Sequence, residues 1–393
     1  MVKLIIVLLV LCIIGYMIHK SIVSPIILFN GIWLVTLLLY NIKMSTIQND
    51  LSERCIFCIW CCVIGFNVAA VFKYLMTYVK WNHVLNIKRT IIFTVEQKIK
   101  YANYLIIFIF IVELIYSKGC PLIWMLTGNT KSYFEFGIPS LNGALYGLVI
   151  LLGANALMKK NKWKYFYLGF GLVVVSRQII MSMVIEGVII YLFQNPDSIK
   201  KVDKKKIVFV IILALVFFGV YGNIRTGESS FNKVFEAREQ YENVPTLFKW
   251  IYAYMEFAIN NFNKLVSITP GGVNKGLSML TDFLPTVIVN MISTKTLYNP
   301  YYLVKINFNV STYLPSIYLD FGTWGIAVFN AIIGLWGMDL YRKRMQSTKN
   351  TIYYAIYVHN ILLLLFGNFF LSISIMAQFV YAYIIFTEKK EKG

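Results

Sequence analysis

Arg177 interrupts the apolar run "GLVVVSRQIIMSM" (171–183). A guanidinium cannot be neutralised in a protein, and an ionised group at membrane depth is costly enough to mark a functional site by default. A second arginine, Arg225, stands in "YGNIRTGESS" (221–230), where an apolar segment ends and Gly222 and Gly227 permit a sharp exit of the backbone. Either arginine alone fits a simple anchor to lipid headgroups. Together, at similar depth on one face, two planar cations suit bidentate binding of a diphosphate. Arg238, among Glu236, Glu239 and Glu242, reads as part of a solvated helix face.

Asp320 lies a few residues into the apolar segment 308–337, after Pro315. It reads equally as a functional acid or as a structural one, paired with an arginine or capping a broken helix. In "TLFKWIYAYMEFAINNFNKLVS" (246–267) the spacing predicts a helix. Ile251, Met255, Ala258, Phe262 and Leu265 form its apolar face, and Lys249, Glu256, Asn260 and Asn263 a polar stripe. Such a helix lies on or dips into a membrane interface. The stripe is either merely solvated or lines the path of a hydroxyl-rich sugar, which Asn and Glu suit, with Asn260 and Asn263 as its ligands. Cys55, Cys58, Cys61 and Cys62 have metal-like spacing inside an apolar segment with no histidine nearby, and read as packed thiols. No metal, nucleotide or other cofactor motif is present, so none is inferred.

The elements that must position these residues are membrane helices. The chain of 393 residues is 58% hydrophobic and 14% charged, too little charge for the surface of a soluble domain of this size. Apolar stretches fall near 2–18, 22–40, 55–73, 102–117, 141–158, 165–176, 178–193, 207–222, 314–339, 351–367 and 369–387. This is an all-α polytopic membrane protein of about 11 transmembrane helices, 10 to 12 in all. The first stretch lacks a small-residue cleavage pattern and reads as a retained helix. The formal charge of +19 comes mostly from lysine. It clusters in Lys73–Lys100, 159–164, 200–206, 341–349 and the C-terminal segment, all of which fall on one face. That face is taken as cytoplasmic, with the N-terminus outside and the C-terminus inside. Residues 1–222 then form an N-terminal bundle, 223–312 a large external loop and 313–393 the C-terminal helices.

The stretch 165–193 is flanked by basic loops at both ends, so it must turn around. Its one polar break is Ser176–Arg177, which predicts a hairpin with Arg177 at the outer end. The competing reading is one tilted helix with Arg177 paired to Glu186 or Glu113.

Taken in order, "SPIILFNGIWLVTLLLY" (24–40), "KGCPLIWMLTGNTKSYFEFGIPSLNG" (118–143), Ser176–Arg177, "GNIRTG" (222–227), "NVSTYLPSIYLDFG" (309–322) and a final helix pair resemble the Wzy-type family of O-antigen and capsule polymerases. The resemblance implies a GT-C-like glycosyltransferase of the bacterial inner membrane. It would join oligosaccharide units carried on polyprenyl diphosphate at the outer face, without a nucleotide sugar. It also implies a flippase and a chain-length regulator as partners, alongside the bilayer and the lipid-linked oligosaccharide, and no nucleic acid. Arg177 and Arg225 match the arginines that grip the leaving diphosphate, although the chain lacks the repeated, longer-spaced Arg–Gly pattern of some members.

Such a reaction needs a base for the attacking hydroxyl. His19 and His83 fall on the cytoplasmic side, and His359 in the cytoplasmic half of its helix. That leaves Asp320 or Glu256. Alternatives are an O-antigen-ligase-type transferase, which would use an external histidine, and a flippase or exporter of the same lipid, which would show two similar halves. A non-catalytic partner of a polysaccharide assembly complex is a third.

Overall fold

The computed structural model describes residues 1–78, 93–129, 131, 135–157, 161–194, 216, 219, 220, 222, 223, 226–285, 288, 289 and 297–387. Among these the chain is helical throughout, with no strand. The helices are α1 (Val2–His19), α2 (Pro25–Ile42), α3 (Glu53–Tyr78), α4 (Phe93–Ser117), α5 (Pro121–Leu126), α6 (Leu141–Leu157), α7 (Trp163–Val173) and α8 (Arg177–Gln194). After them come α9 (Glu228–Phe235), α10 (Thr246–Ile268), α11 (Leu277–Phe283), α12 (Leu314–Lys343), α13 (Thr348–Leu362) and α14 (Ile373–Phe386). The expected helix at 207–222 falls largely outside the described residues.

Six of these helices, α1, α2, α3, α4, α8 and α12, are long and apolar enough to cross a membrane. Helices α6 and α14 are apolar but shorter, and α7 and α13 have only 11 and 15 residues. The multi-pass helical class stands; among the described residues six helices reach full spanning length, where the hydrophobic pattern of the whole chain gave about 11.

Basic segments gather at one end of the bundle. His19 packs edge-on against Tyr74 and Tyr341, Lys73 pairs with Asp339, and Lys98 donates to the carbonyl of Ile384. Since α8 starts at Arg177 and its far end packs Phe193 against Arg344 and Tyr354, Arg177 marks the other end. Here these are called the basic end and the Arg177 end.

Helices α3 and α12 make the most extensive contact among the described helices, almost backbone to backbone. A Cβ on Gly65 would lie 2.3 Å from the Ala327 carbonyl oxygen, and one on Gly334 2.6 Å from that of Phe66. Small residues let membrane helices approach this closely. Cys58 and Cys62 lie in the same interface, with their sulfurs 3.6 Å from the Thr323 hydroxyl and 3.0 Å from the Tyr313 hydroxyl. Asn30 and Asn67 exchange amide hydrogen bonds of 2.8 and 2.9 Å between α2 and α3. Valine at Gly65 or Gly334 is expected to cost at least about 1–3 kcal/mol, because the obstructing atoms are backbone and cannot rotate away. Alanine at Gly31, where a Cβ meets nothing within 4 Å, should change nothing. Thermal unfolding of the detergent-solubilised protein checks both.

Candidate functional site

The site grows from the α7–α8 hairpin. Helix α7 ends at Val173, and the N–H groups of Val174, Val175 and Ser176 turn back onto the carbonyls of Phe170, Leu172 and Gly171. Val175 closes the turn at φ 55°, a left-handed conformation costing a β-branched residue about 1–2 kcal/mol. A Cβ on Gly171 would touch Ile180, and Gly153 of α6 lies against both Tyr167 and Met183, so α7 and α8 fold back on each other as the break at Ser176–Arg177 predicts. Glu186 is taken by His359, whose Nδ1 lies 2.9 Å away, and Glu113 has no ion-pair partner among the described residues. The tilted single helix with an Arg177–glutamate pair is therefore not what forms.

Half-buried Arg177 donates from Nη2 to the Tyr254 hydroxyl at 3.0 Å, with its guanidinium carbon 5.7 Å from that ring's centre. Tyr254 belongs to α10 and forms one wall of an aromatic cavity of about 220 Å³. Phe231 of α9 stacks on Trp250 at 3.9 Å, and Phe257 on Phe308 at 3.9 Å, to build the other walls. The segment carrying Phe308 is pinned to α10 by buried Asn261, whose amide donates to the carbonyls of Phe308 and Val310 and accepts from the N–H of Val304. Thr226, next in sequence to Arg225, lines the same cavity. Arg225 itself lies outside the described residues.

A second cavity, of about 330 Å³, adjoins the first. Asn309 borders both, and Phe366 of the second packs at 5.8 Å on Tyr254 of the first. Its lining is polar: Asn274, Ser278, Asp282, Tyr298, Tyr302 and Asn368 face it.

The sequence-derived carboxylates and amides border neither cavity. Asp320 is 2% exposed, and its two oxygens accept the N–H groups of Ser278 (2.9 Å) and Met279 (2.7 Å) at the start of α11. Two residues on, Gly322 breaks α12 with φ 64° and ψ −158°, and the carbonyls of Tyr318 and Leu319 bind the N–H groups of Gly272 and Asn274 instead. Asp320 thus has a structural role, but as a cap on the start of a neighbouring helix, α11, and neither as an arginine partner nor as a cap on the broken helix that carries it. Glu256 is sealed, with no hydrogen-bond partner among the described residues.

Helix α10 forms as expected, but its polar stripe faces protein, neither water nor a cavity. Asn263 takes the N–H and hydroxyl of Ser52 (2.8 and 2.9 Å) and gives to the carbonyl of Asp50. Asn260 gives to the carbonyl of Ile47 and lies 3.5 Å from both Tyr40 Oη and the Asn49 nitrogen. Lys249 holds Asn232 and the Glu242 carbonyl. The α2–α3 loop thus uses up Asn260 and Asn263, the residues assigned to sugars, and docks α10 onto the bundle. Two exposed ion pairs fasten the same loops: Lys43 holds the carboxyl of Asp50 below its usual range, and Lys305 does so for Glu236. Arg238 also leaves its expected helix face. Its backbone N–H binds the Met44 carbonyl beside the Ser45–Ala237 bridge.

Sequence reasoning missed Asp282, Asn368 and Asn261. Asn274, Ser278, Thr281 and Asp282 do share helical spacing, but α11 is too short for that pattern to register. It also misplaced His359, which sits in the last turn of α13, away from the basic end where that helix begins. Depth does not exclude it from external chemistry; burial does, because it is fully enclosed with Glu186 and Ser182.

Comparison with protein-family models, with curated proteins and with solved structures returns no match to this chain. The fold and its apolar helices define an all-helical, multi-pass membrane protein.

Proposed function

We propose that this protein polymerises oligosaccharide repeat units carried on polyprenyl diphosphate, at the outer face of a bacterial cytoplasmic membrane. In this reading the Arg177 end faces outward, the N-terminus lies outside and the C-terminus inside. The observation that carries the reading is the adjacency, at one end of the bundle, of a tyrosine-held guanidinium, an aromatic cavity and a polar cleft. Arg177 supplies charge and hydrogen-bond donors to a departing diphosphate, which gathers negative charge as the glycosidic bond to it breaks. Arg225, from its place in the sequence beside Thr226, would serve the same group. Aromatic faces and amide-rich walls suit sugar rings and hydroxyls. Asp320 and Glu256 are poorly set to accept a proton, the first holding two backbone N–H groups and the second sealed.

Purified protein in liposomes, supplied with lipid-linked repeat units from the source cells, tests the proposal. A ladder of lengthening glycans on lipid is expected. Transfer to a different glycan acceptor would make it a ligase-type enzyme. Movement of the lipid across the bilayer without bond formation would make it a flippase. Either result overturns the polymerase reading.

A further inference from the structure

We infer that the polar cleft is the acceptor-sugar subsite of this enzyme and that Asp282, set there by a helix which Asp320 clamps, receives the proton of the attacking hydroxyl. The inference rests on the glycosyl-transfer reading above and assigns a site that reading leaves empty.

Helix α11 carries Ser278, Thr281 and Asp282 to the cleft wall, and Asn274 just before it extends the same row. Ser278, Thr281 and Asp282 share one face of the helix, since Asp282 lies one turn beyond Ser278 with Thr281 beside it. Two sets of bonds hold the helix still. Asp320 binds the N–H groups of Ser278 and Met279. Asn274 is tied to Tyr298 by a reciprocal pair, its amide donating to the Tyr298 carbonyl at 2.7 Å and accepting that residue's N–H at 2.9 Å. The kink at Gly322 makes this possible, freeing the Tyr318 and Leu319 carbonyls to take the preceding loop. A short helix is thus fixed at its start so that its last turn holds the carboxylate of Asp282, beside the Ser316 hydroxyl, in the wall of a polar cavity.

Across the cleft, both polar atoms of the Asn368 amide are shut off from solvent and have no hydrogen-bond partner among the described residues. Leaving such groups unpaired is unfavourable, and turning this side chain toward the cleft it lines lets a ligand's hydroxyls satisfy both. Tyr298 and Tyr302 add faces for a sugar ring. The cleft meets the Arg177–Tyr254 compartment through Asn309 and Phe366. A donor whose diphosphate lies by Arg177 therefore has its sugar next to an acceptor in the cleft. In the step, the acceptor oxygen forms its bond to the donor's anomeric carbon and its proton passes to an Asp282 oxygen. The anomeric carbon–phosphate oxygen bond breaks, with its electron pair going to the diphosphate. Asp282 touches the acceptor and is the catalytic residue; Asp320 is a positioning residue.

The test uses the full chain in liposomes with two probes: the lipid-linked repeat unit, and the free oligosaccharide released from it. Asp282→Asn is expected to slow ladder formation at least about 100-fold, the scale of a general base. Its thermal unfolding and its saturation-transfer NMR signal with the free oligosaccharide should match the wild type, and Asp282→Glu should recover part of the rate. Asn368→Leu should lose the NMR signal. Asp320→Asn should weaken that signal and the rate together, unlike Asp282→Asn. A wild-type rate in Asp282→Asn, or no saturation transfer to the wild type, overturns the inference while leaving polymerisation standing. If the wild type makes no ladder, the polymerase reading falls with the proton-transfer role of Asp282. The cleft is then judged by NMR alone: a signal lost in Asn368→Leu keeps it as a sugar site, and an unchanged signal removes it.

Discussion

Arg177→Ala is expected to cut polymer formation by about 10²–10³-fold, the usual loss when one preorganised donor to a developing anion is removed. Cells carrying the variant should accumulate single repeat units on lipid. The size of the effect follows from the setting. The guanidinium is half-buried, is fixed by the Tyr254 hydroxyl and lies over that ring, so it is aimed before substrate arrives and the nearby low dielectric strengthens what it does. Arg177→Lys should recover only part of the loss, since an ammonium keeps the charge but not the planar fork that matches two phosphate oxygens. Tyr254→Phe, which removes one hydrogen bond and keeps the ring, should cost roughly tenfold, about the value of a single bond to a charged group. Arg238→Ala, at the same end but on the loop contact with Met44, is the control for general loss of positive charge and should leave chain length unchanged. Glycan length in cells, at matched membrane abundance of each variant, is the measurement. Wild-type chains from Arg177→Ala would take the arginine out of the mechanism.

The helices were legible because their information is local. An apolar stretch bounded by lysines declares its own length and direction, and the starts at Leu141, Arg177 and Leu314 all fall within a residue of where the pattern puts them. The turn before Arg177 was legible for the same reason, as one polar break in a run flanked by charge. What α10's polar stripe touches was not. Asn263 and Ser52 are 211 positions apart, and an amide satisfied by a distant backbone has the same sequence as one waiting for a sugar. Asp320 misled in the same way. Intramembrane acids invite a functional reading, yet this one spends both oxygens on α11, 42 and 41 residues back in the chain. Asp282 went unnoticed because nothing around it is unusual for a loop; it matters only once α11 is clamped and the cleft is closed by Asn368 and Tyr302.

His359→Leu is expected to destabilise the bundle by about 1–3 kcal/mol, the cost of leaving buried polar groups without their hydrogen-bond partner. Ser182, Glu186 and Gln378 surround the imidazole and its partner, drawn from α8 and α14 and fully enclosed. The Ser182 hydroxyl is 2.7 Å from His359 Nε2, and Glu186 Oε1 is 2.9 Å from Nδ1. With its amide nitrogen turned inward, Gln378 donates to both Glu186 oxygens at 3.0 Å. The order serine–imidazole–carboxylate looks like a hydrolytic relay, but neither of the two cavities described above includes it and each member is sealed, so its work is to join three helices. That distinction orders the variants. Ser182→Ala removes one interhelical hydrogen bond and should cost only about 0.6–1.7 kcal/mol. Glu186→Leu combined with His359→Leu takes away both polar partners and should recover most of what His359→Leu alone loses, because replacing both members of a buried hydrogen-bonded pair by apolar groups can be nearly neutral. Thermal unfolding in detergent measures all three. If His359→Leu unfolds with the wild type, or if Ser182→Ala abolishes activity without changing stability, the cluster is not a structural joint and the relay chemistry has to be reconsidered.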